Sequence, residues 1–285
     1  MKNLKLLLVS LAILFSHNFT MGQGAKDGKN EKNPVKSALN AFKFRSIGPA
    51  FMSGRIADIA IDPENENVWY VAVGSGGVWK TENSGTTWTP LADNMPFYST
   101  GCITIDPNNN ASIWLGTGEN VGGRHVGIGH GVYHSNDGGK SWKDKGLKKS
   151  EHISKIIVHP HDPNTVWVAS QGPLWSPGGE RGLFKTTDGG KTWKNTLDIN
   201  EWTGVTDLVI DPNNPNILYA ASWQKHRNVA ALIGGGPGTS LYKSVDGGDN
   251  WSKIDKGLPR SNNCLLYTSD AADDMQCVDL GGRRI

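Results

Sequence analysis

One hairpin pattern, Ser/Thr-x-Asp/Asn-x-Gly-x-x-Trp, occurs four times in this chain: at Thr81 to Trp88, Ser135 to Trp142, Thr186 to Trp193 and Ser244 to Trp251. Its tryptophans recur roughly every 50 to 60 residues, a period that belongs to propellers, solenoids and arrays. Each copy follows a short apolar stretch, such as Gly77-Val-Trp-Lys80 or Gly182-Leu-Phe-Lys185. Two more apolar runs precede that stretch in every repeat. The first ends in Asp-Pro or His-Pro (Ile59 to Pro63, Ile103 to Pro107, Ile156 to Pro160, Leu208 to Pro212). The second is rich in β-branched and aromatic residues (Val68 to Ala72, Ile113 to Thr117, Val166 to Ser170, Ile217 to Ala221). With the segment after each hairpin tryptophan, the repeat has four antiparallel strands. That is one propeller blade. The expected fold is an all-β propeller, with about four four-stranded blades spanning residues 42–263.

The hairpin chemistry is structural. Asn83, Asp137, Asp188 and Asp246 can accept bonds from backbone N–H groups of the turn, while Gly85, Gly139, Gly190 and Gly248 supply the positive φ it needs. Trp88, Trp142, Trp193 and Trp251 return apolar area to the sheets. A catalytic group is not needed once per blade, so these residues are clasps.

The two ends read differently. Residues 1–23 carry Lys2 and Lys5, an apolar run from Leu6 to Phe15 and small residues near Gly22, the order of a secretory signal. That run is too short for a membrane span, so the expectation is a secreted or periplasmic protein. Residues 24–41 are polar and form a flexible lead-in. Phe42 to Ile47 is strand-like. From Cys264 the repeat logic stops: Cys264 to Asp274 and Val278 to Ile285 resemble translated sequencing adapters, so residues 264–285 read as non-native. Without that tail Cys102 is the one cysteine left, a buried strand residue rather than a reactive thiol. A net charge of +2 leaves no footprint for nucleic acid or an anionic membrane.

Strand alternation sorts the loops. The Asp-Pro turns and the hairpins share one end of each blade. The loops between second and third strands, and between blades, share the other, and they vary most in length, which is where binding concentrates. That face carries Glu119, Arg124, His125 and His130 in blade 2, Trp175, Glu180 and Arg181 in blade 3, and Trp223, Lys225, His226 and Arg227 in blade 4. Tyr98, His152 and Trp202 lie on the blade connections, and Asp58, Cys102, Lys155 and Asp207 share one position near the channel mouth, where they could form inter-blade ion pairs. Arg124, His125, Trp175, Trp202, Trp223 and Arg227 are the candidate ligand-binding residues, exposed tryptophans beside charge being suited to stacking on sugars or gripping a peptide. No cofactor is implied. His159-Pro160-His161 and the His125, His130 pair lack ligand spacing, so no metal is expected.

The hairpin resembles the Asp-box, or bacterial neuraminidase repeat. Ser53-Gly-Arg-Ile56, Ser75-Gly-Gly-Val-Trp-Lys-Thr81, Gly116-Thr-Gly-Glu-Asn120, Gln171-Gly-Pro-Leu-Trp175 and Gly234-Gly-Gly-Pro237 resemble exported bacterial propellers of the sortilin-like, glycosyl-hydrolase-annotated group. Propellers of that group have more than four blades, so the resemblance implies that these are the N-terminal part of a larger ring, with Phe42 to Ile47 placed to complete its last blade. It also implies that the protein is a binding module for a glycan or a peptide or protein ligand, or alternatively a glycoside hydrolase acting on a polysaccharide. Hydrolysis needs two carboxyl groups about 5 to 10 Å apart, and Asp58, Glu119, Glu180 and Asp207 are the candidates. Xyloglucanases place a catalytic Asp just before an Ile-Gly-Gly turn; here Gly74 stands before Ser75-Gly-Gly77, a departure that counts against the xyloglucanase mechanism and leaves a different carboxylate pair open. Phe44 to Pro49 resembles the Phe-Arg-Ile-Pro start of sialidases with residues inserted, but the other arginines are scattered.

Overall fold

The computed structural model describes residues 55–121, 123–254 and 256, all within the second of two units, residues 46–285. The expected signal segment, lead-in, Phe42 to Ile47 strand and adapter-like tail lie outside the described residues. Among the described residues there is no helix.

Four four-stranded antiparallel sheets follow one another in sequence, a partial β-propeller. Blade 1 is β1 (Ile56–Ile61), β2 (Trp69–Val73), β3 (Gly77–Thr81) and β4 (Thr89–Pro90). Blade 2 is β5 (Thr100–Asp106), β6 (Asn109–Thr117), β7 (Val132–Ser135) and β8 (Lys143–Asp144). Blade 3 is β9 (Ile153–His159), β10 (Asp162–Ser170), β11 (Gly182–Thr186) and β12 (Lys194–Leu197). Blade 4 is β13 (Thr203–Ile210), β14 (Leu218–Gln224), β17 (Ser240–Ser244) and β18 (Ser252–Ile254), and its long β14–β17 loop holds an unforeseen two-stranded ribbon, β15 (His226–Arg227) with β16 (Leu232–Ile233). The ribbon escaped the sequence reading because two residues per strand are too few to show alternation.

Blades pack face to face, and the core lies between them. Tyr70, Ala72 and Val78 of blade 1 meet Ile103, Leu115, Tyr133 and Trp142 of blade 2. Trp114 and Val132 meet Ile156, Val158 and Phe184 of blade 3, and Trp167, Ala169 and Leu183 meet Leu208, Leu218 and Ala220 of blade 4. Strands covered on both faces lose the clean apolar–polar alternation, which is why the second strands read as nearly continuous apolar runs.

Each hairpin is closed by the same bonds. The hydroxyl of Thr81, Ser135, Thr186 or Ser244 accepts the N–H of Gly85, Gly139, Gly190 or Gly248 at 2.8–3.0 Å. The side-chain Oδ1 of Asn83, Asp137, Asp188 or Asp246 accepts the N–H four residues on, at 2.8–3.0 Å. The four glycines have φ between 77° and 86°. The turn is also tied to the Asp-Pro end of its own blade, since Ser84, Gly138, Gly189 and Gly247 donate to the carbonyls of Asn67, Ala111, Asn164 and Asn216.

The hairpin tryptophans do more than cover their own sheet. Trp142 Nε1 donates to the Leu91 carbonyl (3.0 Å), Trp193 Nε1 to that of Lys145 (2.7 Å) and Trp251 Nε1 to Thr196 Oγ1 (3.4 Å), each in the preceding blade. The clasp therefore joins blades as well as closing one.

Candidate functional site

A β-bulge recurs at the start of all four first strands, between Ile56 and Asp58, Thr100 and Cys102, Ile153 and Lys155, and Val205 and Asp207. It places Asp58, Cys102, Lys155 and Asp207 opposite Ala72, Gly116, Ala169 and Ala221, one equivalent position in each blade. The bond that forms there is not the ion pair expected. Asp58 Oδ2 accepts the Ile103 N–H of blade 2 at 3.0 Å and its Oδ1 the Ile59 N–H at 2.9 Å, and Asp207 Oδ1 accepts the Leu208 N–H at 2.8 Å. The bulge frees a backbone N–H for the carboxylate, so it needs no lysine. Cys102 is buried, and burial pushes its thiol far above the usual range, with Asp58 adding to the effect, so it is not a reactive thiol.

Glu119 departs from the exposed acid the sequence suggested. It is 1 % exposed and lies against the blade-1 turn. Its carboxylate takes a charge-assisted bond from Arg55 Nη2, a bond from Ser75 Oγ at 2.9 Å and one from the Gly127 N–H at 3.3 Å, while its own N–H donates to Ser99 Oγ at 3.0 Å. A Cβ at Gly74 would lie 2.7 Å from Glu119 Oε1. The bare glycine thus lets a carboxylate from blade 2 occupy the space beside the first β2–β3 turn.

A second buried polar group links three blades. Lys225, 1 % exposed, donates from Nζ to Gln171 Oε1, and Gln171 Nε2 donates to the Asn120 carbonyl at 3.1 Å. The ammonium lies 4.3 Å from the Trp223 ring centroid, a cation–π contact. Burial, with the like charge of Arg181, lowers its pKa to about 7. Burial likewise lowers buried His152 to about 4, Lys225 adding to the effect, although its ring hydrogen-bonds the Glu119 backbone. Arg181, which burial lowers to about 10, donates to the carbonyls of Gln171, Pro173, Ser176, Gly178 and Trp202. It is the scaffold of the blade-3 loop rather than a surface charge.

Of the candidate ligand-binding residues, Trp175 is exposed, at 46 %. Arg124 and His125 are exposed, and Arg124 Nη2 reaches the Val229 carbonyl of the blade-4 loop at 3.4 Å. Trp202 and Trp223 are not the open platforms expected. Both are half-buried: Trp202 lies against His226 with ring centroids 4.2 Å apart, and Trp223 lies beneath Lys225. Arg227 is half-buried and its N–H donates to the Leu174 carbonyl at 2.9 Å. Glu180 Oε2 accepts the Lys149 N–H at 2.7 Å. The four candidate acids are therefore tied by different partners: Asp58 and Asp207 at the bulges, Glu119 at the blade-1 turn and Glu180 at the blade 2–3 connection. Asn83, Asp137, Asp188 and Asp246 lie at the other end of the blades. Among the described residues no group of three or more His, Cys, Asp or Glu is arranged to hold a metal ion. His159 and His161 meet edge to face, with ring centroids 6.0 Å apart.

Ser75, Ser99 and Gln171 carry no signal in the sequence as individual side chains, and Arg55 stands out only inside the Ser53-Gly-Arg-Ile56 motif. The one signal available was Gly74, a missing side chain at a tight turn, which marks a close approach by something else.

The sequence model of a family described as Sortilin-Vps10 (Sortilin, neurotensin receptor 3) matches residues 130–280. The chain belongs to that family. The matched span runs past residue 263 into the stretch that resembles adapter sequence. Among curated proteins, the chain is 24 % identical over 240 residues to a probable oligoxyloglucan-reducing end-specific xyloglucanase of Neosartorya fischeri, covering 77 % of this chain and 26 % of that protein. It is 24 % identical over 224 residues to a xyloglucanase of Acetivibrio thermocellus, covering 69 % and 25 %. It is 25 % identical over 249 residues to a xyloglucanase of Hypocrea jecorina, covering 77 % and 28 %. Among solved structures, an ancestral GH74 enzyme superposes with a TM-score of 0.54 at 24 % identity, over 71 % of this chain and 24 % of that one. The GH74 xyloglucanase from Xanthomonas campestris gives 0.51 at 20 %, over 70 % and 29 %. The chain spans about a quarter of the length of these relatives.

Proposed function

We propose that the protein to which these blades belong is an exported glycoside hydrolase acting on a polysaccharide, with the long-loop face of blades 2 to 4 receiving the glycan. The observation that carries this reading is the similarity to xyloglucanases along 69–77 % of the chain. The site supports it in one respect: a carboxylate, Glu119, is delivered into the space beside Gly74 and held there by Arg55 and Ser75. In this reading Glu119 is one member of the carboxyl pair, and Trp175, Arg124 and His125 contact the sugar chain.

A second reading, glycan binding without turnover, is favoured by the same carboxylate. Glu119 is buried, and both of its carboxylate oxygens are already taken by protein donors, Arg55 and the Gly127 N–H on one and Ser75 on the other. Assay of the protein on a panel of polysaccharides that includes xyloglucan decides between them. Hydrolysis that Glu119→Gln or Asp58→Asn abolishes while glycan binding persists supports the enzyme. Binding with no turnover across the panel overturns it in favour of the binding module. Turnover that both variants retain removes these two acids from the mechanism.

A further inference from the structure

Three positions ahead of Asp58, Cys102, Lys155 and Asp207 stand Arg55, Ser99, His152 and Gly204, again one equivalent position in each blade. In blades 1 to 3 the backbone there does one job: the carbonyl of Arg55, Ser99 or His152 accepts the N–H of Gly74, Gly118 or Gln171 at 2.7–3.0 Å. That job needs no side chain. Blade 4 has none, and a Cβ on Gly204 would overlap the Gln171 backbone.

The side chains of the other three nevertheless converge on a single residue. Arg55 bonds the Glu119 carboxylate, Ser99 Oγ accepts the Glu119 N–H at 3.0 Å, and the His152 ring bonds the Glu119 backbone carbonyl. His152 Nδ1 has no partner among the described residues, so that bond leaves from Nε2. Ser99 Oγ also donates to the Gly127 carbonyl at 3.0 Å, the same carbonyl that shares the Glu119 N–H. Three blades thus fix the carboxylate, the amide and the carbonyl of one glutamate.

His152 occupies its place against local preference. It is 2 % exposed, and its Nδ1 is a buried acceptor left unsatisfied, which calls for a reason. The backbone turns sharply to bring the ring in. Glu151 has a φ of 56°, in the left-handed region, and the His152 N–H closes back onto the Ser150 carbonyl at 2.6 Å. Strain of this kind persists where the surroundings over-determine it, and here the Glu151 carbonyl takes the Gly129 N–H at 2.7 Å, pressed against Gly118, the neighbour of Glu119.

We infer that Ser99 and His152 are positioning residues for Glu119, clamping its peptide from both sides so that the carboxylate keeps one place beside Gly74 while a glycan reacts. The inference rests on the hydrolase reading of this site, with Glu119 in the carboxyl pair. A reacting group must be held within about 0.5 Å of its productive place by neighbours that are themselves locked. Arg55 and Ser75 orient the carboxylate, whereas Ser99 and His152 fix the backbone from which it hangs.

Steady-state kinetics of the protein to which these blades belong, on the polysaccharide panel with xyloglucan included, test this with two amides that mimic different ring nitrogens. His152→Gln puts an amide N–H near the place of Nε2 and keeps the bond to Glu119. His152→Asn puts it near Nδ1 and loses that bond. The expected result is kcat lowered about 10²-fold in His152→Asn and less than about 5-fold in His152→Gln, with KM within about 2-fold in both. Ser99→Ala leaves the Glu119 N–H its Gly127 carbonyl, so it carries the test where His152→Asn fails to fold. It should lower kcat about 10-fold at constant KM. Equal kcat in the two amides, a loss carried by KM, or a Ser99→Ala variant with wild-type kcat overturns the positioning role and leaves the hydrolase reading standing. A wild type without turnover on any member of the panel overturns that reading, and this inference with it.

Discussion

A fully buried lysine without a carboxylate partner is costly, and Lys225 makes that cost visible as a function of pH. Its folded pKa of about 7 lies below the ordinary 10.5, so between those values the unfolded chain holds a proton that the folded chain does not. Stability therefore rises as pH rises through that window, and below it the full penalty is present. Lys225→Met should flatten the increase in urea midpoint between about pH 7 and pH 10. An unchanged slope would place the buried charge elsewhere. Gly74 offers a second test. A methyl group there meets Glu119 Oε1 at 2.7 Å, so Gly74→Ala should cost about 1–3 kcal/mol by overpacking. The cost should shrink when Glu119 is also alanine, because the obstructing carboxylate is gone. Equal costs in both backgrounds would show that the two residues do not touch.

The hairpin is the element that makes a blade sequence legible. Its glycines, hydroxyls and acids act within eight residues, and local chemistry of this kind leaves a pattern that recurs with the fold. Thr186 shows how much rests on one side chain: it is 2 % exposed, donates to Asp188 and accepts the N–H groups of Asp188 and Gly190. Thr186→Val keeps the shape and removes the acceptor, leaving the buried Gly190 N–H without its partner. The expected loss is about 1–3 kcal/mol in denaturant unfolding, against a few tenths for the exposed Thr187→Val. The same locality explains what the sequence concealed. Glu119 and Arg55 are 64 residues apart and Lys225 and Gln171 are 54 apart, and nothing in either segment names the other. The face on which each loop lies followed from strand alternation, but the burial of Glu119, Lys225 and Arg181 depends on how three loops close over one another. Trp202 and Trp223 were expected open for the same reason, since a tryptophan on a blade connection or at a strand end reads alike whether a histidine, a lysine or a sugar covers it.

Across the whole chain, the titrating groups with shifted pKa that matter most act in the same direction, and this sets how the fold responds to acid. Hydrogen bonds from Ser141, the Ser141 N–H and Ser135 hold Asp137 at about 2, and the equivalent bonds hold Asp188 and Asp246 further below their ordinary value. Each such carboxylate contributes stability above the ordinary carboxylate pKa that is lost as pH falls through the folded value. His152, lowered to about 4 from 6.5, is protonated first in the unfolded chain, so acidification across that interval also favours unfolding. Tm should therefore decline in two stages, the first from about pH 6.5 to 4 and the second below about pH 4. His152→Gln should remove its own share of the first stage and leave the second, the rest of that stage belonging to His134, which burial also lowers to about 4. Asp137→Asn, which keeps the acceptor at Oδ1 but cannot titrate, should lessen the second and leave the first. A Tm that rises on acidification, or a first stage unchanged when His152 and His134 are both replaced, would show that these buried imidazoles do not set the response to acid.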